Sequence, residues 1–417
     1  MTGALRTQPA SSTGAGPAAD RLRVLHVITA LGTGGAERQL ESLTKHSGHP
    51  ARTIALYEAG PIGEAMVVAG QDVDVLGMAG WQRFTAPLRL ALQIRRFRPD
   101  VVHVHLLAGQ LWGIPAARLA GVRTVISSEH SLMDDTIENR PLTPALRRLY
   151  LLLERLTTRT VAVSTTTKQR LIRWGARPDR ISVVDNGIDF AALRFSRAGR
   201  ERIRRELGIC PGSTVVGAVG RLETVKRFEP TIRALAGWLA QGDRHLVIAG
   251  DGPLRSELTE LARELGVDDR IHLLGPRTDI PDLLSSFDVL VSPSRDETFG
   301  MAVVEALGNG LPVVYAQCPA IDELGQRPAA AFPLLPRDHS GDAEERAIRD
   351  GVDDALATVA HQWMPPTGGL TGWTGTPAGH YRAARFPPDP ELENLYGIGT
   401  AVAKMDAVYL LASGQTT

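Results

Sequence analysis

The chain has 417 residues, long for one hydrophobic core, so two domains of ordinary size are expected. Its 46 Lys+Arg are balanced by 46 Asp+Glu, which argues against nucleic acid held by bulk charge and leaves nucleic acid out of the expected partners. Hydrophobic content of 43% with 5% aromatics is ordinary for a soluble α/β protein, and no apolar run approaches the length of a bilayer span. Two cysteines, Cys210 and Cys318, have neither metal-ligand spacing nor a disulfide framework to join, and a reducing cytoplasm fits them best.

Residues 1–20 are rich in Ala, Gly, Ser, Thr and Pro and lack an apolar h-region, so they read as a disordered tail rather than a signal peptide. Arg23–Ile28 is an apolar strand that enters the glycine turn Leu31–Glu37 and then a helix. Further strands are expected at Thr53–Tyr57, Val73–Leu76, Val101–His105, Arg123–Ser127 and Thr160–Ser164, alternating with helices. That alternation predicts a parallel sheet covered on both faces. After an arginine-rich helix near Arg200–Leu207 a second series begins: Thr214–Val219, His245–Ala249, Arg270–Leu274, Val289–Ser292 and Pro312–Ala316. The fold class is therefore α/β, with two doubly wound, Rossmann-like domains at 21–195 and 206–395 that meet near 190–212. Ligands are expected in the cleft between them, at carboxyl ends of strands. Residues 362–390, with Trp363 and Trp373, read as an irregular excursion, and a helix from about Gly397 to Leu411 closes the chain.

Three motifs carry chemistry. Gly34 and Gly35 close the first strand–helix turn, but a dinucleotide fingerprint would need glycine where Glu37 stands. Gly220-Arg221-Leu222-Glu223-Thr224-Val225-Lys226 puts two cations directly after an apolar strand ending in glycine. Cations there would stabilise a departing diphosphate more in the transition state than in the ground state. The third motif is Glu297-Thr298-Phe299-Gly300-Met301-Ala302-Val303-Val304-Glu305, with a glycine-opened helix start between two carboxylates. Such a start suits a phosphate, and flanking carboxylates can accept from sugar hydroxyls.

Taken in order, these motifs resemble those of retaining glycosyltransferases of family 4, whose GT-B fold sets two Rossmann-like domains across a cleft. Glu297–Glu305 is similar to that family's E-x7-E signature and Gly220–Lys226 to its G-R-L-x-x-x-K segment, the likeness covering most of residues 21–320. It implies transfer of a sugar from a nucleoside diphosphate, expected to be UDP, to a hydroxyl of a small-molecule or lipid-linked acceptor. No cofactor is implied. The donor would be attacked on the face that the diphosphate leaves, with a phosphate oxygen taking the acceptor proton.

The resemblance assigns catalytic roles to Arg221 and Lys226 at the phosphates, Glu297 at the donor sugar and His130 on the sugar and acceptor side. Donor contacts fall to Gly35, Gly220, Gly252 and to Arg277 beside the base. The Phe299, Gly300 and Met301 amides would face the diphosphate, and Glu305 the ribose. His103 is given an architectural role, and the terminal segment, 396–417, a helix crossing back to the first domain. Two rivals remain: a GT-B nucleotide-sugar epimerase or hydrolase that needs no acceptor, and a silent sugar-nucleotide-binding subunit.

One stretch departs from the family. Its Gly-Gly-x-x-Glu becomes Cys318-Pro319-Ala320-Ile321-Asp322, and Arg327–Glu344 is Pro/Ala-rich and charged where a strand and glycine turn are usual. This points to a specialised branch, of envelope glycan or secondary-metabolite assembly. No metal centre is expected, because Asp72-Val73-Asp74 belongs to an alternating strand. The basic amphipathic runs Trp81–Arg98 and Leu146–Leu153 can either cover the first sheet or lie on anionic lipid, so peripheral membrane contact stays open.

Overall fold

The computed structural model describes residues 21–334, 341–362 and 385–415. The tail 1–20 and most of the 362–390 excursion, with Trp363 and Trp373, lie outside the described residues. The chain divides into two compact units: one runs to Gly187 and takes in the segment from Ala401 onward, the other is Ile188–Thr400.

Seven parallel strands make the sheet of the first unit: β1 Val24–Ile28, β2 Ala51–Ala55, β3 Asp72–Val75, β4 Val101–His105, β5 Thr124–Glu129, β6 Arg159–Ala162 and β7 Ile181–Val183. Their order is β3-β2-β1-β4-β5-β6-β7, so the winding reverses between β1 and β4. Every residue of β1, β4 and β5 is buried, as central strands covered on both faces require. On the edge strand β3, Asp72 and Asp74 lie 2.8 and 3.5 Å from Arg52 of β2, so their charge is met inside the sheet.

Six parallel strands make the sheet of the second unit: β8 Thr214–Val219, β9 Arg244–Ala249, β10 Ile271–Gly275, β11 Val289–Ser292, β12 Val313–Tyr315 and β13 Ala331–Pro333. The order β10-β9-β8-β11-β12-β13 reverses between β8 and β11. Strand β13 lies in the stretch read as a Pro/Ala-rich replacement, which corrects that expectation. Like β7, it is a three-residue edge strand held by backbone pairing rather than by an apolar run, and Pro333 is tolerated at such an edge.

The division after Gly187 falls earlier than the expected junction at 190–212. The reason is packing: Phe190 and Leu193 lie against Gly308, and the Asn309 amide nitrogen donates to Leu193 O at 2.7 Å, all inside the second unit. The terminal helix is Ile398–Ser413. From Ala401 it belongs to the first unit, where Tyr409 meets His103 at 2.8 Å and Lys404 meets Asp185 at 2.7 Å.

A buried ionic hub holds the second sheet. Helix Arg197–Glu206 sends Arg200 and Arg204 inward onto Asp288, the residue before β11. Asp288 accepts from Arg200 at 2.7 Å, from Arg204 at 2.9 Å and from the Val215 amide of β8 at 2.8 Å. The arginines spend further donors on the carbonyls of Ser285, Ser286, Phe287, Pro211 and Ser213. Burial alone would raise the Asp288 pKa, but Arg204 and Arg200 outweigh it and hold the carboxyl below its ordinary value. Removing one partner from such a group strands a buried charge at a cost of about 3–5 kcal/mol. Asp288→Asn should therefore lower the unfolding free energy of the second unit by about 3 kcal/mol at pH 7 in a urea titration. A carboxyl depressed on folding contributes above its unfolded pKa of about 4 and loses that contribution in acid, so the gap between the two proteins should narrow as pH falls. Equal stability at pH 7 would show that the hub holds nothing.

Candidate functional site

In the second unit, β8 ends at Val219 and runs through Gly220 and Arg221 into a single tight turn, Thr224–Lys226. Backbone bonds seat this loop on its neighbour: the Gly220 amide donates to Ala249 O at 3.0 Å, Leu222 to Asp251 O at 2.9 Å, and Leu254 to Leu222 O at 3.1 Å. A Cβ on Gly252 would stand 2.5 Å from Leu222 O, so the demand for glycine there comes from the adjoining loop. Gly220 has ordinary room beside Lys226 and Phe228, with nearest atoms at 3.5 Å.

Lys226 Nζ donates to Glu297 Oε1 at 2.6 Å, joining the loop after β8 to the loop after β11. Glu297 is buried, and its amide donates to the Gln317 side-chain oxygen at 3.2 Å. Arg221 leaves the same loop with its side chain 61% exposed, and Glu223 is the acid beside it at 3.1 Å. Two of the sequence-predicted catalytic residues are thus in direct contact, and a third stands open to solvent on the same loop.

The helix Met301–Gly308 starts from Gly300, whose φ of 95° favours glycine. A Cβ on Gly300 would also run into Cys318 Sγ, so the thiol fills the space under the turn. Phe299 is buried edge-on to Tyr396, with ring centroids 5.2 Å apart, and its carbonyl accepts from the Ala320 amide at 3.0 Å. The turn is pinned on both sides. First-turn amides, here those around Met301, lack intrahelical partners and sit at the positive end of the helix. Half-buried Glu305 follows within the same helix.

The departing segment folds as the short helix Pro319–Asp322, and Asp322 turns back to accept from the Cys318 amide at 2.9 Å. Burial raises the pKa of both Asp322 and the Cys318 thiol. The acid that replaces the family's glutamate is therefore engaged in capping its own turn. Arg277, expected beside a base, has its guanidinium on Glu206 at 2.6 Å and Asp279 at 2.7 Å. Those two acids raise its pKa and engage the guanidinium.

In the first unit, Gly35 opens the helix Gly35–His46, with Gly34 as its cap. Glu37 folds back over that start: its Cδ lies 3.1 Å from where a Cβ on Gly34 would stand. A carboxylate at the third helical position answers the positive end of the helix, which leaves less there for a phosphate. His130 follows β5, and its Nε2 lies 3.3 Å from His105 Nδ1. Burial lowers the His130 pKa to about 4, so the ring is neutral at pH 7. His103 is fully buried between the Tyr409 hydroxyl at 2.8 Å and Ser128 Oγ at 2.7 Å, as an architectural residue would be.

Sequence reasoning passed over Glu129, a buried acid at the end of β5. It accepts from the Tyr150 hydroxyl at 2.8 Å and the Ser131 amide at 2.9 Å, and burial raises its pKa. A lone acid in an otherwise uncharged strand was the available signal. His26, beside His105 at 3.1 Å, was also missed. Among the described residues, His26, His103 and His105 have ring nitrogens within 4.8 Å of one another, close enough to be weighed as cation ligands. Their bonds to each other, to Tyr409 and to Ser128 already engage those nitrogens.

Residues 33–192 match the family described as Glycosyltransferase Family 4, and residues 199–326 match Glycosyl transferases group 1. Curated relatives include 2-deoxystreptamine glucosyltransferase of Streptomyces kanamyceticus, 29% identical over 74% of this chain and 84% of the relative. D-inositol 3-phosphate glycosyltransferase of Corynebacterium efficiens is 32% identical over 62% of this chain, which spans only 61% of that relative. Among solved structures, HepE of Anabaena in complex with UDP and glucose has a TM-score of 0.75 at 20% identity, covering 93% of this chain and 99% of HepE. The chain belongs to the family 4-like glycosyltransferases of the GT-B fold.

Proposed function

We propose that the chain moves a sugar from a nucleoside-diphosphate donor, a UDP-sugar, to an acceptor hydroxyl with retention of configuration and without a metal. The observation that carries this reading is the Lys226–Glu297 contact of 2.6 Å beside the Gly300 helix start. An ammonium has three donors, so Lys226 can keep Glu297 and still face a phosphate oxygen. Arg221, exposed on the same loop, adds a second cation where negative charge grows as the glycosidic bond breaks. In the transfer, the anomeric C–O bond to the diphosphate breaks as the acceptor oxygen bonds to the same face, and the acceptor proton passes to the departing phosphate oxygen. Relatives support these donor and acceptor classes: a solved neighbour binds UDP and UDP-glucose, one curated relative is a 2-deoxystreptamine glucosyltransferase, and another acts on a diphosphoundecaprenol-linked sugar. Acceptors are accordingly a small polyol or a lipid-linked sugar, in secondary-metabolite or envelope glycan assembly. The work would be done in the cytoplasm.

Peripheral membrane contact also belongs to this reading. Helices Ala86–Phe97, Leu106–Leu119 and Pro144–Arg155 lie side by side in the first unit and carry much of the exposed apolar surface, including Leu88 at 60% and Leu152 at 58%. Arg95, Arg96, Arg148 and Arg155 are exposed beside them, and Glu154, the one acid within these three helices, is buried. Apolar ridges with arginines and no exposed acid complement an anionic bilayer. Among the described residues no helix is long and apolar enough to cross a membrane.

Turnover of a panel of UDP-sugars with polyol and lipid-linked acceptors tests the chemistry. Arg221→Ala and Glu297→Ala should each lower kcat at least about a hundredfold, the scale of losing one transition-state contact. Free sugar or isomerised donor released without acceptor would instead indicate a hydrolase or epimerase, and UDP binding without turnover a silent subunit. Co-sedimentation with phosphatidylglycerol vesicles tests the surface. Binding should fall at high salt and in Leu88→Glu/Leu152→Glu, and vesicles of phosphatidylcholine alone should bind little. Equal sedimentation of variant and parent would remove the membrane contact.

A further inference from the structure

The loops after β8 and β11 are joined a second time, through the residue after Lys226 and the residue two before Glu297. Those residues are Arg227 and Arg295, and both reach one carboxylate, that of Glu344. Arg227 Nε donates to Glu344 Oε1 at 2.6 Å and its Nη2 donates to Oε2, a two-pronged pairing of guanidinium and carboxylate. Arg295 Nη2 lies 3.4 Å from the same Oε2. The neighbouring cations Lys226 and Arg227 are thus sent to different acids, Glu297 and Glu344.

The pattern of the helix explains why an acid stands there. Helix Gly341–Gln362 is seated in the core of the second unit by Ile348, Val352 and Ala355. Glu344 comes one helical turn before Ile348, so it falls on the same inward face, nearer the helix start. It is 5% exposed, which is rare for a glutamate unless it is paired. The positive end of a helix also favours an acid in its first turn, but that interaction requires neither burial nor two arginines. Arg227 supplies a further sign of constraint, because its φ of 55° lies in the left-handed region. Outside glycine that conformation costs about 1–3 kcal/mol and persists where the surroundings hold it. The two-pronged grip of Glu344 is such a hold.

We propose that Glu344 is a positioning residue for sugar transfer: by gripping Arg227 and Arg295 it fixes the spacing of the two loops, and so keeps Lys226 on Glu297. The consequence for catalysis rests on the roles given above to Lys226 and Glu297; the bridge itself does not. The side chains of Arg227 and Arg295 are 30% and 37% exposed, so each can turn to water when the acid is lost, and the variant should fold.

Hydrogen-exchange mass spectrometry of the full chain reads the bridge, and turnover of UDP-sugars reads its consequence. Glu344→Gln should speed backbone exchange in both 221–228 and 293–300, with β8 and β11 as protected as in the parent. It should lower kcat about tenfold with the donor KM within about threefold, as when reacting groups are misplaced rather than removed. Adding Arg227→Met should cost little more, because both changes remove one contact; additive losses would count against the pairing. Arg295→Met, at an exposed position, should loosen 293–300 and leave 221–228 as they were. Unchanged exchange in either loop of Glu344→Gln overturns the bridge. So does a change confined to helix Gly341–Gln362, which would leave Glu344 a helix residue only. Looser loops with parental kcat overturn the positioning role. A parent chain that transfers no sugar would sink the proposed function instead, and exchange alone then decides the bridge.

Discussion

An ammonium and a carboxylate 2.6 Å apart, those of Lys226 and Glu297, tie together two loops that leave different strands of the second sheet. The contact falls where the winding of the sheet reverses between β8 and β11, and parallel sheets open their crevices at such places. What surrounds the pair is shaped to keep it there. The β8 loop is seated by backbone bonds on the loop that follows β9, and the turn at Gly300 is wedged between Cys318 and the carbonyl-to-amide bond from Phe299 to Ala320. Without those supports a lysine on a surface loop would sample many positions, and a single ion pair of this kind would hold little.

Charge is handled in three different ways within one chain. At Asp288 the charges are deep, and the two arginines donate to its carboxylate and to five backbone carbonyls, so the group is structural. Arg385 lies close by, and burial together with neighbouring Arg200 brings its pKa down to about 9. Near Glu297 the charges sit at the carboxyl ends of two central strands, and the Lys226 ammonium has more donors than its contact with Glu297 uses. In the first unit, burial lowers the His26 pKa to about 3 and the His130 pKa to about 4, so these two rings are neutral at pH 7. A second layer of the same economy appears at Glu37, whose carboxylate answers the helix start that Gly34 and Gly35 leave open.

Much of the site could be read from residues because its chemistry is local. A glycine followed by cations after an apolar strand, or a glycine between acids at a helix start, announces itself within a few positions. What escaped was non-local. Glu129 and His26 looked like ordinary strand residues until their partners, Tyr150 and His105, arrived from distant positions. Arg277 was expected beside a base, and only the folded chain shows its guanidinium engaged by Glu206 and Asp279. Asp322 was recognised as a departure from the family, but its return onto the Cys318 amide depends on a helix of four residues too short to leave a pattern.

Apolar runs and glycine turns determined the longer strands of both sheets, their parallel winding and the presence of two Rossmann-like units, because they are properties of neighbouring residues. Short edge strands such as β7 and β13, and the placing of Phe190–Leu193 in the second unit, were decided only by tertiary structure, since backbone pairing and long-range packing stabilise them. The same holds for protons and charges. Sequence names the titratable groups, but burial and approach in three dimensions decide which of them are paired, which are neutral and which remain open to a substrate.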